Sequence, residues 1–487
     1  MSSIRPILLC GVAASLLCGC LGTIPHAQIR TVEPVGGSVS ADPLGSYAAI
    51  TNLTDDALLK KVGERMVENY DEFLLSFVEF DDQGKFWDRE RQLKWLHALA
   101  QDRIAQQNGA LIFVFVHGWE ENADVANGTV ACFRHMLYEL SLDERDTNPQ
   151  YPRRIIGVYV GWRGLSQQLP ILEQLTFWGR KNTAHKIGRG DMDELLVHLD
   201  DLKRGLTRPE VSEEKPAATR LIVMGHSFGG AIVYSALDNI LKNQTLRSVV
   251  PYERGETNEV GVITAGAFDL VVLVNPAFEA LLYSGLAEAT GTNKNYNADQ
   301  TTVLITIGAE NDQATGRFFP IGQFFPSFMQ KFKPGSDEQV LNKTSLGHYQ
   351  RYFDWELTST NNDTQTRTGP VSASQRKQIG FGTARRHREK AKSGRSVEAK
   401  AAPLAKKNWE DYVTTEHAWK LQPYRNNPEP PTHAPFLVIA ATSDVVDGHS
   451  GIWGDTLQEF IEDFITAQGR HKTEIEMRAL RAGRPKQ

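Results

Sequence analysis

The sequence predicts an α/β fold: a doubly wound, mostly parallel sheet flanked by helices. Three observations predict it. Six short runs, Ala110 to Trp119, Arg154 to Trp162, Arg220 to Ser227, Leu270 to Pro276, Thr302 to Asp312 and Phe436 to Asp444, are β-branched and apolar on both faces, as strands buried between two helical layers are. Between them lie helical stretches, among them "ADVANGTVACFRHMLYEL", "DMDELLVHLDDL", "GGAIVYSALDNIL" and "DTLQEFIEDFITA". The third run stops abruptly at Gly225-His226-Ser227-Phe228-Gly229 and a helix follows at once. Alternation of strand and helix specifies a parallel sheet with crossover helices.

Taken from the N-terminus, the chain begins "MSSIRPILLCGVAASLLCGCLG", with one positive side chain at Arg5, an apolar run from Ile7 to Cys18, and then small residues. This is a signal-peptide pattern over residues 1–19, too short to span a membrane as a helix. Leu17-Cys18-Gly19-Cys20 resembles the bacterial lipoprotein cleavage box. That resemblance implies a mature chain beginning at an acylated Cys20, and two or three acyl chains at about 0.8 kcal/mol per buried CH₂ make a stable anchor. Leu21 follows where an aspartate would signal inner-membrane retention, so the expected site is the outer membrane of a bacterial envelope, on its periplasmic side or surface. An ordinary secretory signal cut elsewhere is the alternative.

Three of the four cysteines lie in those first twenty residues, and Cys132 alone remains in the body, so no disulfide framework is available there. The 487 residues suffice for one large domain with insertions or for two. A net charge of -6 gives no general affinity for nucleic acid. Residues 20–54, rich in small residues and without periodicity, read as a tether. Residues 55–109 read as amphipathic helices, from "DDALLKKVGERMVENYDEFLLSFVEF" and "DRERQLKWLHALAQDRI". The α/β domain is expected over 110–357 and 411–470, interrupted by a polar segment at 358–410 and followed by a polar tail at 471–487. Asn361 to Glu410 carries twelve Lys or Arg against four Asp or Glu. It reads as a solvated insertion, or as a basic arm that meets anionic headgroups or other polyanions.

The strand-turn-helix context of Ser227 is that of a nucleophile elbow, in which glycines admit a tight turn and the serine hydroxyl stands above the sheet edge. Such a hydroxyl needs a base, and the base needs a third group to hold its tautomer. His449, in the glycine-flanked loop "TSDVVDGHSGIWG" after the last strand, is the expected base, with His348 its competitor. Asp312, at the end of the strand "TVLITIGAEND", is the expected orienting acid, ahead of Glu310, Glu279 and Asp444. Backbone amides of Phe228 and Trp119 are the expected oxyanion donors, the latter from "HGW" after the first central strand.

In that order "HGW", "GHSFGG", "END" and "DGHSGIW" resemble the α/β-hydrolase superfamily, in its broad esterase and lipase group, over roughly Ala110 to Ala467. The resemblance implies cleavage of carboxylic esters, lipid esters among them, through an acyl-enzyme on Ser227. The antiparallel N-terminal strands common in that superfamily are not apparent before Ala110, and the segment between acid and histidine is unusually long. Two apolar stretches beyond strand ends, "GRFFPIGQFFPSFMQKF" and "LPILEQLTFWGR", read either as an acyl-chain wall or flap, or as loops packed on the core. No zinc spacing, phosphate loop or dinucleotide fingerprint is present, so neither cofactor nor metal is expected. An acyltransferase on the same triad and a non-catalytic envelope scaffold are the competing functions.

Overall fold

The computed structural model describes residues 27–51, 53–119, 121–162, 173–206, 218–291, 294–320, 331–360, 418–425, 427, 430 and 433–482. Cys20, most of the basic segment and most of the phenylalanine-rich stretch lie outside them.

Eleven strands form one sheet in the order β1-β2-β3-β5-β4-β6-β7-β8-β11-β9-β10. They are β1 (Pro43–Gly45), β2 (Val67–Tyr70), β3 (Phe73–Glu79), β4 (Ala110–Val116), β5 (Arg154–Gly161), β6 (Arg220–His226), β7 (Leu270–Val274), β8 (Leu304–Ala309), β9 (Trp355–Ser359), β10 (Trp419–Pro423) and β11 (Phe436–Ala441). From β3 across to β9 every neighbouring pair is parallel, while β2 against β3 and β9 against β10 are antiparallel.

The helices among the described residues are α1 (Asp55–Val62), α2 (Arg89–Ala98), α3 (Arg103–Asn108), α4 (Gly128–Thr147), α5 (Glu173–Gly188), α6 (Met192–Leu206), α7 (Phe228–Glu253), α8 (Ala280–Ala289), α9 (Glu338–Lys343) and α10 (Asp455–Arg481). They lie on both faces of the sheet. Side chains alternate along β4: Ile112, Val114 and Val116 join the apolar layer that also holds residues of α6 and α7, whereas Leu111, Phe113 and Phe115 join the layer with α4 and α10. This double burial is why the central strands read as continuous apolar runs, and the arrangement is compatible with double winding.

Three expectations are corrected. The segment 55–80 is helical only through Val62, where Gly63 at φ 61 ends α1, and the rest forms β2 and β3. Every residue of β3 is buried, so its apolar run carries no period that distinguishes strand from helix.

The described part of the expected tether is also packed. Arg30 is buried; its guanidinium reaches Glu68 at 2.9 Å, and the Ile29 and Arg30 amides donate to the Glu79 carboxylate. Arg134 completes a buried cluster on Glu68 at 2.7 Å, and Leu44, Tyr47 and Ile50 enter the core.

The expected C-terminal tail continues α10 to Arg481. Its Lys472 bonds Asp269 at 3.0 Å and Glu476 bonds Arg220 at 2.7 Å, clamping the helix to the start of β6.

Candidate active site

Ser227 is the residue between β6 and α7, with φ 55 and ψ -121, a backbone region that a non-glycine residue enters only under tertiary constraint. The constraint is visible. Its amide donates to the Val274 carbonyl (3.1 Å) and its carbonyl accepts from the Ala277 amide (3.0 Å), so the loop after β7 grips the turn on both sides. The flanking glycines are sterically required: a Cβ on Gly225 would stand 2.7 Å from the Gly229 carbonyl oxygen, and one on Gly229 would run into the Val116 carbonyl. The Phe228 amide opens α7 immediately after the serine, where the helix dipole favours negative charge.

His449 lies between the end of β11 and α10. Its Nε2 accepts from the Ser227 hydroxyl at 2.7 Å, and its Nδ1–H donates to Asp312 Oδ2 at 2.8 Å. Sequence reasoning named all three residues, and the fold brings them into one hydrogen-bonded line although 137 and 222 positions separate the histidine from its partners.

Asp312 follows β8 and its carboxylate is buried. The amides of Ala314 (2.8 Å) and Thr315 (3.1 Å) donate to Oδ1, and the Thr315 hydroxyl donates to Oδ2. Burial works to raise its pKa; the hydrogen bond and charge of His449 and the Thr315 donors outweigh that and hold the carboxyl at about 2. It is therefore ionised throughout the neutral range.

No protein-family model and no curated protein matches the chain. Its chemistry must be read from the geometry.

The remaining named candidates take other places. His348 does not touch Ser227; its Nε2–H donates to Thr315 Oγ1 at 3.0 Å, behind the acid. Glu279 pairs with Lys181, and Asp444 accepts from the Ser359 amide at 3.0 Å. The Glu310 amide continues the ladder to Ala441.

Trp119 belongs to the loop after β4. Its predecessor Gly118 lies so close to the elbow that a Cβ there would be 3.0 Å from Ser227 Cβ. His117 Nδ1–H donates to the Gly118 carbonyl at 2.8 Å, and His117 Nε2 accepts from the Trp162 amide at 2.9 Å. The Gly118 carbonyl and the Trp119 amide share one peptide unit, in which C=O and N–H point oppositely. By fixing the carbonyl, His117 fixes the direction of the Trp119 N–H.

Two residues hold the histidine from behind: His226, which the sequence places beside the elbow without this role, and Asn275, which it does not single out. His226 Nε2–H donates to the His449 carbonyl at 2.9 Å, and Asn275 Nδ2 donates to the same oxygen at 3.0 Å. Burial, with His449 adjacent, pushes the His226 pKa down to about 3, so it remains a neutral donor. Asn275 also accepts from the Ala309 amide at 2.8 Å, stitching the ends of β7 and β8 to the His449 loop. Its signal in the sequence is slight: a polar residue at the end of an apolar run, before Pro276.

Proposed function

We propose that this protein is a serine hydrolase of α/β-hydrolase architecture that cleaves carboxylic esters through an acyl-enzyme intermediate. The observation that carries this reading is the unbroken line from the Ser227 hydroxyl through both ring nitrogens of His449 to a buried, ionised Asp312. We also propose that the mature chain is held by an acylated Cys20 at the outer membrane.

In this mechanism Ser227 Oγ attacks the ester carbonyl carbon while its proton passes to His449 Nε2. The carbonyl π electrons move to oxygen, giving a tetrahedral oxyanion that the Phe228 and Trp119 amides stabilise, each donor being worth about 3 kcal/mol. Collapse of the intermediate breaks the C–O bond to the alcohol, which leaves with the proton from Nε2. Water then attacks the acyl-enzyme with His449 again as base, releasing the acid and restoring Ser227. Asp312 stabilises the imidazolium formed in each half and holds Nδ1 as the protonated nitrogen.

The test is labelling of purified protein with a fluorophosphonate probe. Wild type is expected to label stoichiometrically, and Ser227→Ala and His449→Ala not at all. A folded wild type that stays unlabelled would overturn the reading. Product analysis with water and an alcohol in competition separates hydrolysis from acyl transfer.

A further inference from the structure

Resting on the proposed hydrolase and its acylated Cys20, we infer that the active-site edge of the sheet faces the bilayer holding the anchor, and that the substrate is an ester resident in that same bilayer.

The parallel strands β3, β5, β4, β6, β7, β8, β11 and β9 share one direction, so their C-terminal ends form a single edge. Ser227 follows β6 on that edge, Asp312 follows β8 and His449 follows β11.

The N-terminal arm starts from the same edge. Ile29 and Arg30 are pinned by their amides to Glu79, the last residue of β3, which pairs with Gly161, the last residue of β5. Trp162 follows and donates to His117, beside Gly118 and the elbow. From Arg30 the chain runs past the Val32–Arg65 bridge to β1 and thus toward the opposite edge, so its departure at the catalytic edge is at residue 29. Cys20 precedes Ile29 by nine residues. At 3.3–3.6 Å each, these span about 30 Å at most. Because Arg30 is locked in a buried ion cluster, that span cannot be lengthened by peeling away the packed arm without stripping the buried Glu79 carboxylate of its amide donors and Glu68 of one of its two guanidinium partners.

A second attachment lies on this edge independently of the first. β9 runs parallel to β11 and ends there at Ser359, and β10 starts opposite it at Trp419. The Thr360 amide donates to the Ala418 carbonyl at 2.9 Å, and the Ala418 amide donates to Glu459 at 3.1 Å. The segment carrying twelve cations against four anions is thereby joined at both ends to the active-site edge of a chain whose net charge is -6. A segment with this charge, attached at this edge, has the sign that complements anionic headgroups. Among the described residues no helix is long and apolar enough to cross a membrane.

The experiment uses the full mature chain, acylated as the cell makes it, in vesicles of phosphatidylethanolamine and phosphatidylglycerol that contain a phospholipid with a fluorogenic acyl ester. Protein-bearing vesicles hydrolyse their own ester at least tenfold faster than the same ester in protein-free vesicles mixed with them, because anchoring raises the local concentration. Insertion of thirty Gly/Ser residues between Leu21 and Gly22 shrinks that advantage, while hydrolysis of a short water-soluble ester is unchanged. Equal rates in the two vesicle populations overturn the inference. So does a Cys20 without acyl groups by mass spectrometry, or hydrolysis of the soluble ester without hydrolysis of the membrane ester; the hydrolase reading survives all three. Failure to cleave either ester, with Ser227 unlabelled by fluorophosphonate, overturns the hydrolase reading itself.

Discussion

In the proposed mechanism Asp312 acts through its charge. Replacement by Asn puts an N–H donor or a weaker acceptor opposite His449 Nδ1 and frees the ring to take the wrong tautomer; kcat is expected to fall about 10⁴-fold in steady-state ester assays, with KM little changed. The same residue links the site to pH. Its folded pKa, about 2, lies below the ordinary aspartate value, so the native state binds fewer protons than the unfolded chain between those values. Stability from this group is thus present above about pH 4 and is lost as pH falls toward 2; one pKa unit is 1.36 kcal/mol, so about 2 kcal/mol is at stake. Unfolding free energies of wild type and Asp312→Asn from denaturant titrations should differ by that amount at pH 6 and converge near pH 2. Asn275 acts through position, because its amide holds the His449 carbonyl. Asn275→Ala should lower kcat by ten- to a hundredfold at constant KM, as expected of a small misplacement of the base. A drop in KM affinity without a drop in kcat would refute that role. The juxtaposition of Ser227, His449 and Asp312 was legible because the proposed roles of nucleophile, base and acid call for these residue types beyond strand ends. The roles of His226 and Asn275 were not, since a donor to a backbone carbonyl can be any of several residue types.

The clamp between β6 and α10 is an element-scale feature. Asp269 accepts from Lys203 at 2.7 Å, Lys472 at 3.0 Å and the Leu221 amide at 2.7 Å. Burial opposes its charge, and the three cations around it, Lys472, Lys203 and Arg220, hold its pKa below the ordinary range. Asp269→Ala leaves buried cations uncompensated and should cost about 3–5 kcal/mol, read as a lowered denaturant midpoint, without moving the triad at the far end of β6. Fluorophosphonate labelling of the folded fraction should therefore persist. The elements themselves were unequally legible. The six central runs announced strands because burial on both faces leaves an unbroken apolar stretch bounded by turns. The segment that forms β3 is apolar in the same way, yet it followed a true helix and had no turn signal strong enough to separate it. The tail of α10 looked polar because its contacts to β6 are ion pairs and not apolar burial.

On the scale of the whole molecule, the active-site edge collects the triad, the start of the packed N-terminal arm and both ends of the basic segment. Separation of the cis and trans vesicle rates is the prediction that belongs to this scale, since it depends on where the anchored arm leaves the sheet relative to the site. The sequence by itself determined the alternating α/β architecture, the elbow serine and its partners, because apolar periodicity and the chemistry of an activated hydroxyl constrain residue types locally. Only the tertiary structure decided that residues 27–51 are packed, that β1 to β3 extend the sheet, and that the arm and the basic segment leave from the catalytic edge. These depend on pairing across long separations in the chain, such as Arg30 with Glu68 and β9 with β11, where many alternative partners have the same local signature and only burial and register choose among them.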